Sequence, residues 1–182
     1  MGVKQTGAGS SYVDLAWNAQ LGAGHYHTQF SQDGKNWIDM EYSSSPSDSV
    51  YNLTQGASYY ARVVAYNGSH YSGTHVMVGV SETAIVSTKP TEVTGLTQTA
   101  AGVNSVSMSW NASAGAASYV IYGYINYNWT QIGTSATNSA TITGVAATTS
   151  TKFSVAAVKN VTGGTVTGDQ CSGVEMKAIP IK

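Results

Sequence analysis

The sequence is written twice. Trp17 and Trp110 lie 93 residues apart, as do Tyr26 and Tyr119; Trp37 and Trp129 are 92 apart, as are Val63 and Val155, and Pro90 and Pro180 are 90 apart. The text around these anchors matches as well: Gly2-Val3-Lys4-Gln5-Thr6 returns as Gly95-Leu96-Thr97-Gln98-Thr99. A period near 92 residues is too long for a solenoid unit and fits a small domain in tandem. The 182 residues are therefore expected to form two modules, 1–88 and 89–182, joined near Thr88 to Thr91, where Pro90 fixes one φ.

Composition narrows the classes. Charged residues make up 9% of the chain, against about 25% in ordinary soluble domains. Twelve Tyr and four Trp argue for packed interiors rather than disorder. A net charge of −1 and the absence of a basic stripe leave no electrostatic footprint for nucleic acid. No apolar run approaches the ~20 residues of a membrane span, so no membrane insertion is expected. Cys171 is the sole cysteine, which excludes a disulfide framework and a cysteine-based metal site. Met1 runs straight into the first strand without a signal peptide or the Pro-containing approach seen in the second copy. The expectation is a segment of a longer tandem array; the other reading is a complete short gene product.

Alternation dominates the local pattern. Tyr12 to Trp17 places Val13, Leu15 and Trp17 on one face and Asp14 on the other, and Val106-Ser107-Met108-Ser109-Trp110 repeats it. Tyr59 to Tyr66 points Tyr59, Ala61, Val63 and Ala65 inward, and Thr151 to Val158 does so with Phe153, Val155 and Ala157. Asp33-Gly34 supplies the positive φ of a hairpin turn. No stretch holds a 3.6-residue period with caps. Short strands separated by Gly, Ser, Asn and Asp clusters predict an all-β chain of two β-sandwiches.

The ordered anchors resemble the fibronectin type III family, one immunoglobulin-like sandwich per half. Pro90-x-x-Val93-x-Gly95-Leu96 resembles its first strand, Val106-x-Met108-x-Trp110 its second with the buried Trp, and Tyr119-x-Ile121 its third. Ile142-x-Gly144-Val145 leading to Phe153-x-Val155-x-Ala157 resembles its fifth and sixth. The first half matches through Trp17, Tyr26, Leu53, Gln55-Gly56 and Tyr59-x-Ala61-x-Val63-x-Ala65. The resemblance implies a tyrosine corner at Tyr59, where the second half has Thr151.

No constellation for catalysis is legible. The nine acids are scattered, and no nucleophile elbow, phosphate loop or dinucleotide fingerprint occurs. The chain is expected to be no enzyme and to need no cofactor. Arg62, the only arginine, precedes Val63, so the Arg-Gly-Asp tripeptide of some relatives is absent. Four histidines, His25, His27, His70 and His75, all fall in the first half. The family topology brings the start of the third strand to the end of the sixth, so they could converge in a set suited to zinc. With no acidic partner evident for them, no metal site is expected, and the four stand only as candidates.

Outward strand positions supply a candidate ligand or partner face: Tyr60, Arg62 and Tyr66 in the first half, Tyr122 and Tyr124 in the second, with Tyr71 in the loop beyond. Aromatic, weakly charged faces bind partners or stack on sugar rings. Trp37 and Trp129, kept in both copies, are expected to be structural. Long loops are expected from Asn67 to about Glu82 and from Lys159 to about Gly173, where recognition often sits.

The resemblance implies a non-catalytic module pair, a spacer or accessory binding unit of a secreted or cell-surface bacterial protein, related to glycans or adhesion. Its partners would be neighbouring domains, other subunits or a polysaccharide. The competing expectation is a structural virion module, such as a phage decoration or tail protein, located in the virion.

Overall fold

The computed structural model describes residues 1–147 and 150–179; the anchor Pro180 lies outside them. Two compact units emerge, Met1–Lys89 with Asn160–Val166 and Pro90–Lys159 with Thr167–Lys182. The described residues are almost all strand, turn and loop, with one 3-10 turn at His70–Ser72. None of their helices is long and apolar enough to cross a membrane.

The first sandwich is built from β1 (Lys4–Ala8), β2 (Val13–Ala16), β3 (His25–Ser31), β4 (Ile38–Ser43), β5 (Ser47–Val50), β6 (Ser58–Tyr66), β7 (Met77–Val80) and β8 (Ala84–Ser87). One sheet runs β1-β2-β5; the other runs β4-β3-β6-β7, with β8 also on β6. The second sandwich comprises β9 (Thr97–Gly102), β10 (Ser105–Ser109), β11 (Ser118–Ile125), β12 (Asn128–Ser135), β13 (Ser139–Thr143), β14 (Thr151–Val161), β15 (Gly164–Thr167) and β16 (Val174–Met176). Its sheets run β13-β10-β9 and β12-β11-β14-β15, with β16 on β14. Each strand therefore has its counterpart eight strands later, in the same place.

The period-2 pattern becomes the core. Val13, Leu15 and Trp17 meet Tyr26, Phe30, Ala61, Val63 and Ala65 from the facing sheet. In the second sandwich Val106, Met108 and Trp110 meet Tyr119, Ile121, Phe153, Val155 and Ala157. Burying such side chains supplies the main drive for each sandwich, about 1.5–3 kcal/mol for each large apolar side chain. The tyrosine corner forms as the resemblance implies: the Tyr59 hydroxyl accepts the Thr54 N–H at 3.0 Å.

Cys171 belongs to the second core, where its Sγ accepts the Val155 N–H at 3.3 Å. Ser81 holds the equivalent place in the first sandwich, its Oγ accepting the Val63 N–H at 2.9 Å. The lone thiol is thus a hydrogen-bonded structural residue.

Local differences from expectation have local causes. Asp33-Gly34 does make the turn, with Gly34 at φ 72°. The loop runs longer than a tight hairpin, because Asp33 Oδ1 accepts from the Ser31 hydroxyl and from the N–H of Lys35 and Asn36. These bonds hold the Asp33 carboxyl well below the usual carboxylate range. The two expected long loops diverge. The segment after β6 makes a 3-10 turn and then joins the sheet as β7. After β14 the chain turns at Thr162-Gly163, with Gly163 at φ 84°, and returns as β15. Alternating Val and Thr on either side favour a strand hairpin over an open loop.

Candidate functional site

The four histidines converge. His25 and His27 alternate with the core residues Tyr26 and Thr28, and so project from the outer face of β3. That face is covered: His25 is fully buried. The cover is the segment 67–76, pinned at its base where Asn67 N–H donates to Val76 O at 3.0 Å and Val76 N–H to Asn67 Oδ1 at 2.7 Å. Within it Ser69 Oγ accepts the Tyr71 N–H, Gly73 takes a left-handed φ of 65°, and His70 turns back over the sheet.

The ring nitrogens are close and ordered. His25 Nδ1 donates to Gly68 O at 3.1 Å. Its Nε2 is buried and without a hydrogen-bond partner among the described residues. His27 Nε2 lies 3.2 Å from His70 Nδ1. One ring nitrogen from each of His25, His27 and His70 falls within 4.8 Å of the other two. His75 stands edge-on to His25, centroids 5.1 Å apart, its own Nδ1 buried and unpartnered among the described residues. Tyr66 stacks on His25 at 5.3 Å, and Tyr42 lies 4.3 Å from His70.

An acidic partner is present, contrary to expectation. Asp39 Oδ2 approaches His27 Nδ1 at 4.0 Å, and its Oδ1 accepts from Gln29 Nε2 at 2.7 Å. Gln29 Oε1 accepts from Arg62 Nε at 2.7 Å, and the Arg62 guanidinium lies 4.1 Å over the Trp37 ring. The outer face of the first sandwich thus carries a polar chain from Trp37 to His70. A bulge between Thr28 and Gln29 sets Asp39 opposite Gln29, a register that sequence spacing does not reveal. The His27 imidazole titrates below its ordinary value, first because burial disfavours its charge; Asp39 opposes this, and the neighbouring histidines add to it.

Of the predicted face residues, Tyr66 joins the cluster, and Tyr71 flanks His70 at 5.2 Å while 85% exposed. Arg62 joins the polar chain. Tyr60 sits opposite Ser31 and Ile85, outside the cluster.

The second sandwich presents a different surface. Tyr124 and Trp129 face each other across β11 and β12, centroids 5.3 Å apart and planes at 61°. The hairpin between them turns at Asn126 and Tyr127, both at positive φ (50° and 64°), and leaves Tyr127 91% exposed. Tyr122 is only half-exposed, two residues back on β11. Trp129 and Tyr127 were not singled out as ligand contacts from sequence. Their signal was the run Tyr122 to Trp129, with four aromatics in eight residues. The recurring Trp37 and Trp129 lie outside both core clusters, so their place is on the outer faces.

A groove of about 380 Å³ opens at one edge of the first sandwich between Phe30, Ile38, Met40, Leu53 and Tyr59, with Asp33 at its rim. No titratable cluster lines it.

No protein-family model matches the chain. Among curated proteins the chain is similar to chitinase A1 of Niallia circulans, 33% identical over 162 residues that cover 85% of this chain. The chain spans 22% of that protein's length. Among solved structures it resembles the FN1–FN3 domains of chicken CNTN1, at 15% identity over 97% of this chain and 66% of that one, with a TM-score of 0.52. A two fibronectin type-III domain segment of chicken tenascin matches at 15% identity over 96% and 97% of the two chains, with a TM-score of 0.46. Doubled sheets with one strand order, the tyrosine corner and the CNTN1 likeness together make the chain a tandem pair of fibronectin type III-fold β-sandwiches.

Proposed function

We propose that the chain is a non-catalytic module pair, 1–88 and 89–182, serving as an accessory unit of a larger secreted bacterial protein that acts on polysaccharide. The carrying observation is its 33% identity with chitinase A1 across 162 residues, a stretch that is a minor part of that protein. The exposed pair Tyr124 and Trp129 supports a sugar-stacking role, since flat aromatic rings suit the apolar faces of pyranoses.

Retention of the purified chain on insoluble chitin tests this. Binding that falls at least about tenfold in Trp129→Ala or Tyr124→Ala, a loss of about 1.4 kcal/mol, marks a binding unit. Absence of retention on chitin and across a glycan array reduces the role to that of a spacer. Hydrolysis of chito-oligosaccharides by the chain, abolished by one point substitution, would overturn the non-catalytic reading.

A further inference from the structure

We propose that His25, His27 and His70 form a binding site for a single divalent transition-metal ion of the class that prefers imidazole, namely zinc(II), nickel(II) or copper(II). The donor set points there: three imidazole nitrogens with no thiolate or carboxylate among them suit these ions rather than calcium or magnesium. This inference is independent of the polysaccharide reading, since neither site needs the other.

The geometry is that of ligands already oriented. His25 commits its Nδ1 proton to Gly68 O, the usual arrangement for a metal-bound histidine, and keeps its other ring nitrogen, Nε2, buried and unpartnered among the described residues. His27 turns its Nδ1 toward Asp39 and its Nε2 toward His70, so carboxylate, imidazole and ion position fall in sequence. A zinc–nitrogen bond near 2.0–2.1 Å sets tetrahedral ligands about 3.3 Å apart. The His27–His70 separation is 3.2 Å, and all three donors lie within 4.8 Å. A small rotation of His70, which sits on the covering segment, closes the set. Tyr42, Tyr66 and His75 wall the cluster and limit water around it.

The placement gives the ion a task. His25 and His27 belong to β3, and His70 lies 43 residues beyond His27 in the segment that carries the exposed Tyr71. One ion bound to all three would staple segment 67–76 to the sheet. A cross-link of that span restricts the unfolded chain as well as the loop.

Equilibrium dialysis of the chelator-stripped 182-residue chain against zinc, nickel or copper chloride at neutral pH, with metal analysis, tests the site. We expect one equivalent bound. His70→Ala and His27→Gln should each weaken binding about 100-fold or more, and Asp39→Asn about tenfold, as loss of an outer partner does. His70 lies outside the core, so its variant should keep the parent circular dichroism. X-ray absorption should show a first shell of nitrogen and oxygen without sulfur, with imidazole scattering. Failure of all three ions to bind the parent chain overturns the proposal. So does one equivalent retained undiminished in both His70→Ala and His27→Gln, which would place the ion elsewhere.

Discussion

The ring of Tyr26 stands edge-on to the indole of Trp17, centroids 5.4 Å apart and planes at 65°. Its hydroxyl accepts the backbone N–H of Gln20 at 3.1 Å. The second sandwich repeats the device: Tyr119 meets Trp110 at 5.2 Å and 67°, and its hydroxyl accepts the Ser113 N–H at 3.0 Å. In both copies the indole Nε1 is buried without a hydrogen-bond partner among the described residues. The recurring Trp and Tyr are thus one unit, a core ring pair that also anchors the loop between two strands.

Tyr26→Phe and Tyr119→Phe keep the ring pair and remove only the hydroxyl acceptor. Each should cost about 1 kcal/mol, the net value of a hydrogen bond to a backbone donor. Urea unfolding measures the loss. Hydrogen exchange should localise it to Gln20 in one variant and Ser113 in the other. Equal exchange at those amides before and after would remove the anchoring role.

Cys171→Ser should leave stability within about 0.5 kcal/mol, whereas Cys171→Ala should cost about 1 kcal/mol or more. The first sandwich already shows a serine hydroxyl serving the same backbone position. A serine variant as damaged as the alanine variant would show that the sulfur's apolar volume, not its acceptor, matters at this position.

Gly24 passes against the backbone of the covering segment. A Cβ there would collide with the carbonyl oxygen of Gly68, the acceptor of the His25 bond. Gly24→Ala should push residues 67–76 off β3 at a cost of about 1–3 kcal/mol, as overpacking does. Faster hydrogen exchange at Val76, with β5 unchanged, is the expected signature.

Asp48 sits opposite Leu15 in β5, with its Oδ2 buried and unpartnered among the described residues. Burial raises its carboxyl above the usual 3.8; the Ser49 N–H opposes this, and Glu41 adds to it. A carboxyl whose folded pKa is raised destabilises the fold where it is ionised, and this loss fades as pH falls through the folded pKa. Asp48→Asn should therefore be more stable than the parent at pH ~7, and the gap should shrink toward pH ~4. A variant less stable at neutral pH would contradict this sign.

Tyr127 holds a left-handed backbone conformation at a solvent-exposed turn. Tyr127→Gly relieves that conformation and loses almost no packing, so it should raise the thermal midpoint, by about 0.5–1 kcal/mol in stability. If the aromatic hairpin serves ligand binding, the same change should weaken retention on chitin. A stabilised variant with full retention would confine binding to Tyr124 and Trp129.

The histidine cluster shows where sequence reading stops. That His25 and His27 share one strand face follows from a period of two, and strand adjacency suggested that His70 and His75 could meet them. The burial of His25 did not follow, because it depends on segment 67–76 folding over the sheet. Asp39 stays exposed on β4, and only the bulge between Thr28 and Gln29 brings its carboxylate to within 4.0 Å of His27. In the second sandwich the aromatic run was visible, but which rings pair was decided by the register of β11 on β12.

The sequence by itself determined the doubled domain, the strand alternation and the core of each sandwich, because repeats and period-2 burial are written in local order. Tertiary structure alone decided how the outer faces are used: which loop became a strand, which tryptophan carries an arginine and which a tyrosine, and which nitrogens face one another. Those outcomes depend on cross-strand register and loop closure between residues dozens of positions apart. Such contacts leave no period in the chain, so only the folded backbone reveals them.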